Sequence, residues 1–212
     1  RLGGVNYPVS WQRVANFAYL SYVRVPLPAI HQQARAFILG TLTTYSDNLL
    51  KRIEANGYRY VLVPDQYYWG SNSVALGHAF DLLQAYEATR LPRYRDAALD
   101  QLHYLLGRNT FSQTFITGVG KNPVTSPYHQ FSMMLHVGKP VPGLIVGGSN
   151  KNSRLRGKVI SQFPGRSYED NEKNYFVNEV AINYTAPFVF LAGYFSDFSG
   201  EREQGVTVGR MK

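Results

Sequence analysis

The chain has 212 residues, enough for one domain with a real core or two small ones; 44% are hydrophobic and 17% charged, which excludes a disordered segment. It contains no cysteine, so a disulfide framework, a cysteine-ligated zinc site and a thiol nucleophile are excluded together. The formal charge of +8 makes nucleic acid or an acidic surface a partner class to weigh, while no apolar run approaches the roughly 18 residues of a membrane helix.

The sequence opens Arg-Leu-Gly-Gly-Val-Asn-Tyr-Pro-Val-Ser-Trp, without a basic-then-apolar leader or an initiator methionine, as expected of a mature protein or a piece of a longer one. A short helix is expected from Trp11 to Val23. A longer one follows from about Ala29 to Ile53, with Ile30, Ala34, Phe37, Ile38, Leu42, Tyr45, Leu49 and Ile53 at helical spacing, Pro26 and Pro28 before it and Gly57 after it. Tyr58–Val63 reads as a short strand stopped by Pro64.

The clearest pair comes next. Ser71 or Asn72 caps a helix carrying Val74, Ala75, Ala79, Leu82, Leu83 and Tyr86, and Leu91-Pro92 breaks it. Its partner carries Tyr94, Ala97, Ala98, Leu102 and Leu105 and ends at Gly107, so the two are expected as antiparallel neighbours. From Arg108 to Arg166 glycine, proline, asparagine and serine dominate, and a loop region of this length within a domain is usually functional. Helical spacing returns near Tyr175 and runs through Glu179, Val180, Ile182, Phe188 and Leu191, with Pro187 expected to start a new turn or kink the element. The architecture expected is all-α, with the chemistry in the loops.

Tyrosine is abundant, at 16 residues against 2 tryptophans, and offers a flat apolar face with a hydroxyl, as sugar-binding clefts do. The densest acidic and aromatic block runs from Tyr168 to Tyr184. Glu179, flanked by Phe176, Val177 and Val180, is its carboxylate with the most apolar neighbourhood, the setting of a glycosidase acid. On spacing alone the alternative is an ordinary glutamate in the first turn of a helix. Trp69 reads equally as a platform for a pyranose ring or as a core residue beneath the Gly70 turn, and Tyr67, Tyr68, Tyr128 and Tyr175 as cleft liners by their loop positions.

Tyr168, Asp170, Tyr175, Glu179 and Ala181 resemble the active-site signature of glycoside hydrolase family 9, with Thr185 where the family usually has asparagine. Four further segments resemble that family in the same order: Trp69-Gly70-Ser71-Asn72, Leu105-Leu106-Gly107-Arg108-Asn109, Thr114 to Gly120, and Pro142 to Gly148. The resemblance implies an (α/α)6 barrel, of which this chain is the C-terminal half, and inverting hydrolysis of β-1,4-glucans without a required cofactor. It implies Glu179 as general acid, Asp170 as a supporting carboxylate and Tyr184 beside the acid in the cleft.

Two departures from the family pattern accompany the resemblance. Where the family carries Pro-His-x-Arg to grip the sugar, this chain has Pro127-Tyr128-His129-Gln130. Tyr128 and Gln130 then replace the gripping pair without a guanidinium, and His129 is either a sugar ligand or a polar loop residue. No Asp-Ala-Gly-Asp motif is present to supply the base, and Asp47, Asp65, Asp81, Asp96 and Asp100 lie in no matching context. The missing N-terminal half of the domain is therefore expected as the base-bearing partner.

Two other functions remain open: an exo-acting glucosaminidase or chito-oligosaccharide hydrolase, and a silent carbohydrate-binding fragment. The expected partner is an oligo- or polysaccharide, with no membrane and no nucleic acid, since Lys151, Arg154, Arg156, Lys158 and Arg166 lack interleaved aromatics. No metal constellation stands out among the 5 histidines; a structural calcium is an option the family offers, with no coordinating loop to assign. A secreted or periplasmic location follows from the family's polymeric substrates. A half ring should also leave apolar faces uncovered around Phe37–Leu49 and Leu82–Leu105.

Overall fold

The computed structural model describes residues 3–26, 31–134, 138–155 and 157–196. The expected helix start at Ala29 and Arg156 of the basic run lie outside them. The helices are α1 (Ala15–Arg24), α2 (Gln32–Glu54), α3 (Ser71–Thr89), α4 (Pro92–Leu105), α5 (Gln130–Met134), α6 (Tyr175–Asn178) and α7 (Ile182–Ser196). Strands β1 (Arg154–Leu155) and β2 (Lys158–Val159) form a small antiparallel hairpin, with Arg154 opposite Val159. The architecture is all-α, as the sequence periodicity requires.

Helix α3 is the centre of the packing, because α2, α4 and α7 all lie against it. Val74, Ala75, Leu76, Ala79, Leu82, Leu83 and Ala85 are buried around most of its circumference, a pattern that a single-faced helix would not need. It ends at Arg90, whose left-handed conformation (φ 58°) turns the chain and whose N–H reaches Tyr86 O at 2.7 Å; Pro92 then opens α4.

Two buried polar groups tie this core to its surroundings. His78 of α3 receives the Gln66 amide at Nε2 (3.1 Å), so its ring proton sits on Nδ1 and meets the Tyr45 hydroxyl at 2.8 Å. Burial first, and Arg52 second, hold its pKa down to about 3. Asp81, also on α3, accepts from Asn16 Nδ2 at 3.2 Å and from Val9 N at 3.3 Å, which fastens the N-terminal segment and α1 to the core. Burial pushes its pKa up to about 8 against the lowering effect of those two donors.

Four expectations are corrected. Neither Ser71 nor Asn72 caps α3: Gly70 is its N-cap, no side chain caps the first turn, and Ser71 Oγ donates to Ser149 O at 2.6 Å. Tyr58–Val63 is not a strand: Tyr60, Val61 and Leu62 are all buried, and the backbone bonds to a side chain rather than to a ladder. Val61 N donates to Gln101 Oε1 (3.0 Å) and Gln101 Nε2 donates back to Arg59 O (3.2 Å). The helical run expected from Tyr175 to Leu191 is broken between α6 and α7, and Glu179 sits at the break in extended conformation (φ −57°, ψ 142°), with Pro187 carried inside α7. Uncovered apolar side chains lie mainly elsewhere than expected. Phe37 and Leu91 are exposed as expected, but Leu82, Leu102 and Leu105 are buried; Trp11, Val14 and Phe17 before and on α1, and Ile182, Val189 and Phe190 on α7, are exposed as well. These two edges flank a groove of about 330 Å3 lined by Trp11, Val14, Phe17, Phe80 and Phe190.

Candidate active site

The long segment between α4 and α7 has little regular structure, yet it is a packed layer. Phe115, Ile116, Val124, Ile145 and Val146 are buried in it. The Pro142–Gly148 segment lies in the middle: Val146 N bonds Phe115 O (3.2 Å) on one side, and Gly147 N bonds Glu179 O (2.9 Å) and Gly148 N bonds Val177 O (3.0 Å) on the other. The start of α3 closes onto the same segment, through Asn72 N to Gly147 O (2.9 Å) and Asn72 Nδ2 to Val146 O (2.9 Å).

These contacts give a physical reason for the glycines of both motifs. Gly70 holds φ 77°, and a Cβ there would stand 2.8 Å from the Tyr184 ring. Gly148 holds φ 87°, and a Cβ there would stand 2.5 Å from the Asn72 side chain. Trp69, Glu179 and Tyr184 come together because three separate pieces of backbone approach this closely.

At the centre, Trp69 Nε1 donates to Glu179 Oε2 at 2.6 Å and the Tyr184 hydroxyl donates to the same oxygen at 3.5 Å. Glu179 is half-buried and makes no ion pair among the described residues. Burial, then the Glu179 carboxylate, push the Tyr184 pKa up to about 12, so its hydroxyl stays a neutral donor. Tyr175 and Trp69 are each 42% exposed, with ring centroids 5.6 Å apart, and Tyr128 lies 5.9 Å from Tyr175. Together they form an open aromatic wall beside the carboxylate.

Asp170 stands in a different relation to the site. Its carboxylate accepts from Thr125 N (2.8 Å), Thr125 Oγ1 (2.9 Å), Gln113 Nε2 (3.2 Å) and Ser126 N (2.9 Å). It latches the turn that leads into Pro127 and Tyr128, and Tyr128 N then bonds Asn178 O at 2.8 Å alongside Glu179. His129 faces α5: its Nδ1 meets Ser132 Oγ at 2.8 Å. Gln130 is exposed at the first position of α5. Tyr168 is buried against Phe111 and Phe115 and donates to Asn178 Oδ1 at 2.8 Å.

Sequence reasoning missed Asn178. Fully buried, it donates to Glu169 O (2.6 Å), Asn171 O (2.9 Å) and Asn174 O (3.2 Å), folding the loop before α6 back on itself and setting where Glu179 emerges. The only sequence clue was its position next to Glu179. Among the described residues no three His, Cys, Asp or Glu side chains gather in a way that could hold a metal ion. No helix among them is long and apolar enough to cross a membrane.

The class of protein is defined by the all-α fold together with its relatives. Residues 3–192 match the profile of glycosyl hydrolase family 9, and the chain belongs to that family. It is 32% identical over 193 residues to a cellulose 1,4-beta-cellobiosidase of Acetivibrio thermocellus, covering 84% of this chain and 21% of that protein. It is 28% identical over 195 residues to endoglucanase D of the same organism, covering 91% of this chain and 28% of that protein. Among solved structures, the family 9 endoglucanase J30 superposes with a TM-score of 0.81 at 36% identity, over 91% of this chain and 36% of that one. AaCel9A in complex with cellobiose-like isofagomine gives a TM-score of 0.83 at 30% identity, over 90% of this chain and 37% of that one. The fold is thus part of an (α/α)6 barrel, and the chain spans only 21% and 28% of the length of the two curated relatives above.

Proposed function

We propose that this chain is the acid-bearing, C-terminal part of a catalytic domain that hydrolyses β-1,4-glycosidic bonds in glucans by inversion, with Glu179 as general acid. The observation that carries the reading is the Glu179 carboxylate held by Trp69 and Tyr184 inside an aromatic wall, in a chain of a cellulase family. Glu179 protonates the leaving glycosidic oxygen; Tyr175 and Tyr128 contact the sugar as apolar faces. Asp170 positions the Tyr128 turn and takes no part in proton transfer, since four donors already occupy its two oxygens.

Inversion needs a second carboxylate about 6.5–9.5 Å from the first, free to activate water. The other aspartates are committed elsewhere: Asp47 to Arg93, Asp65 to Lys151, Asp96 to Arg95, Asp100 to Arg59 and Arg108, and Asp81 to the buried contacts above. The base is accordingly assigned to the remainder of the domain, and the 212-residue chain alone is expected to turn over no glucan. A polymeric glucan substrate places the whole enzyme outside the cytoplasm, secreted or periplasmic.

The test is Glu179→Gln in the complete domain. The amide keeps the shape of the site and cannot give up a proton, so turnover of cello-oligosaccharides should fall by about 10²–10⁴. An aryl glycoside with an activated leaving group needs that proton less and should be largely spared. Equal loss on both substrates rejects Glu179 as the acid.

A further inference from the structure

The sequence offers Trp69 as a sugar platform or a core residue, and the geometry fits neither description well. Its ring already packs against Tyr175 (5.6 Å) and Phe176 (5.2 Å) of its own chain, and its polar edge, not its face, points at the acid. We propose that Trp69 is a positioning residue for the general acid: its indole N–H fixes the Glu179 carboxyl group and decides which of the two oxygens carries the transferable proton. This inference rests on the reading of Glu179 as the acid.

The chemistry follows from the donor inventory. An indole nitrogen donates and never accepts. An oxygen 2.6 Å from that donor, with a tyrosine hydroxyl also directed at it, acts as an acceptor in both protonation states of the carboxyl group. The proton therefore resides on Oε1, which has no protein partner among the described residues and is free to meet the glycosidic oxygen. On transfer, the Oε1–H bond breaks as the leaving oxygen takes the proton, and the negative charge left on the carboxylate spreads to Oε2, where the indole and phenol donors receive it. A hydrogen bond to a charged acceptor is stronger than one to a neutral acceptor, so these donors contribute more after transfer than before it.

The indole can perform this role because the same scaffold holds both partners. Glu179 O accepts from Gly147 N, and Gly147 O accepts from Asn72 N, three residues after Trp69. Ser71 Oγ donates to Ser149 O at 2.6 Å, and Gly70 has no side chain to keep the Tyr184 ring away. The donor and the acid are thus linked through a short run of backbone hydrogen bonds, without a mobile loop between them.

Trp69→Phe in the complete domain keeps an aromatic ring and deletes the donor. With cello-oligosaccharides kcat should fall by roughly 10- to 100-fold, the size of one hydrogen bond to a charged group, while KM stays within about threefold. With an activated aryl glycoside kcat should change by less than about threefold. Added to Glu179→Gln, the substitution should lower kcat no further, because no acid remains to be positioned. A rise in KM on both substrates with kcat intact would instead make Trp69 a stacking platform and overturn the proposal. The Glu179→Gln arm alone judges the acid assignment, so the two failures are distinguishable. A second measurement does not depend on the phenylalanine variant folding: with 15N-labelled indoles, Glu179→Gln should move one tryptophan N–H resonance upfield, and no moved resonance overturns the proposal.

Discussion

The α3–α4 pair and the two outer helices, α1 and α7, are made of similar residues placed in opposite circumstances. On α3 and α4 nearly every apolar side chain finds a neighbour, and even the polar Asp81, His78 and Gln101 are enclosed and bonded. On α1 and α7 Phe17 and Phe190 face outward across a shared groove, and Val189 is exposed beside Phe190 in the sequence of α7. Exposed apolar stripes on helices mark surfaces suited to another element or partner. The chain covers 36–37% of the family structures it superposes on, so the outer faces of α1 and α7 are where the rest of such a barrel is expected to pack.

The largest effect should come from the closed side. Leu82→Ala on α3 removes a side chain with no solvent exposure and should cost about 2–5 kcal/mol in urea melts of the complete domain, from lost transfer energy plus the cavity left behind. A cost below about 1 kcal/mol would mean that the centre of α3 can collapse, and the contrast with the edges would fail.

How much of this was legible in sequence divides along the same line. Helix α3 and its partner α4 were read in place, because Leu91-Pro92 and Gly107 punctuate a strong 3.6-residue period, but the cap expected of Ser71 or Asn72 was misread: Gly70 is the N-cap, and both side chains donate to carbonyls of the Pro142–Ser149 stretch instead. The Tyr58–Val63 segment was misread because three consecutive buried residues imitate a strand when the partner for their backbone is the side chain of Gln101. The break between α6 and α7 was invisible to periodicity, since apolar residues continue across it; the backbone bond from Gly147 to Glu179 O decides it, and that bond comes from 32 residues upstream. Glu179 and the aromatic residues beside it were singled out through the resemblance to the family signature. The work of Asn178, the latch formed by Asp170 and the N–H bond from Trp69 depend on long-range geometry that spacing does not encode.

A second, more gradual effect concerns the joint between the two regions. Asp81 has its pKa raised from 3.8 to about 8, so the folded protein binds one more proton than the unfolded chain between those values. Its stabilising contribution is complete below about pH 4 and is lost as pH rises through about 8. Stability should decline across that window by no more than about 1.4 kcal/mol per pH unit, and level off above it. Asp81→Asn removes the ionisation while keeping an oxygen for Val9 N and Asn16, so its melts should lack this component of the slope. Identical slopes in the two proteins would show that Asp81 is not protonated in the folded state, and that the N-terminal segment docks by other means.

The smallest effect is expected on the open side, and it tests the contrast most directly. Val189 lies in the middle of α7 and is 62% exposed. If that face were a true solvent surface, Val189→Ser would change stability by no more than about 0.5 kcal/mol, as surface substitutions usually do. If the rest of the barrel covers it, the substitution removes buried apolar area and places a hydroxyl in a dry interface, at a cost of about 1–2 kcal/mol. The expected outcome is the second, measured on the complete domain beside Leu82→Ala. The cost should be smaller than for Leu82 because valine is the smaller side chain and is already partly covered by its own helix. A neutral result in the complete domain would leave α7 as a permanent outer face and move the missing neighbour to the α1 side of the groove, where Trp11 and Val14 are the next residues to replace.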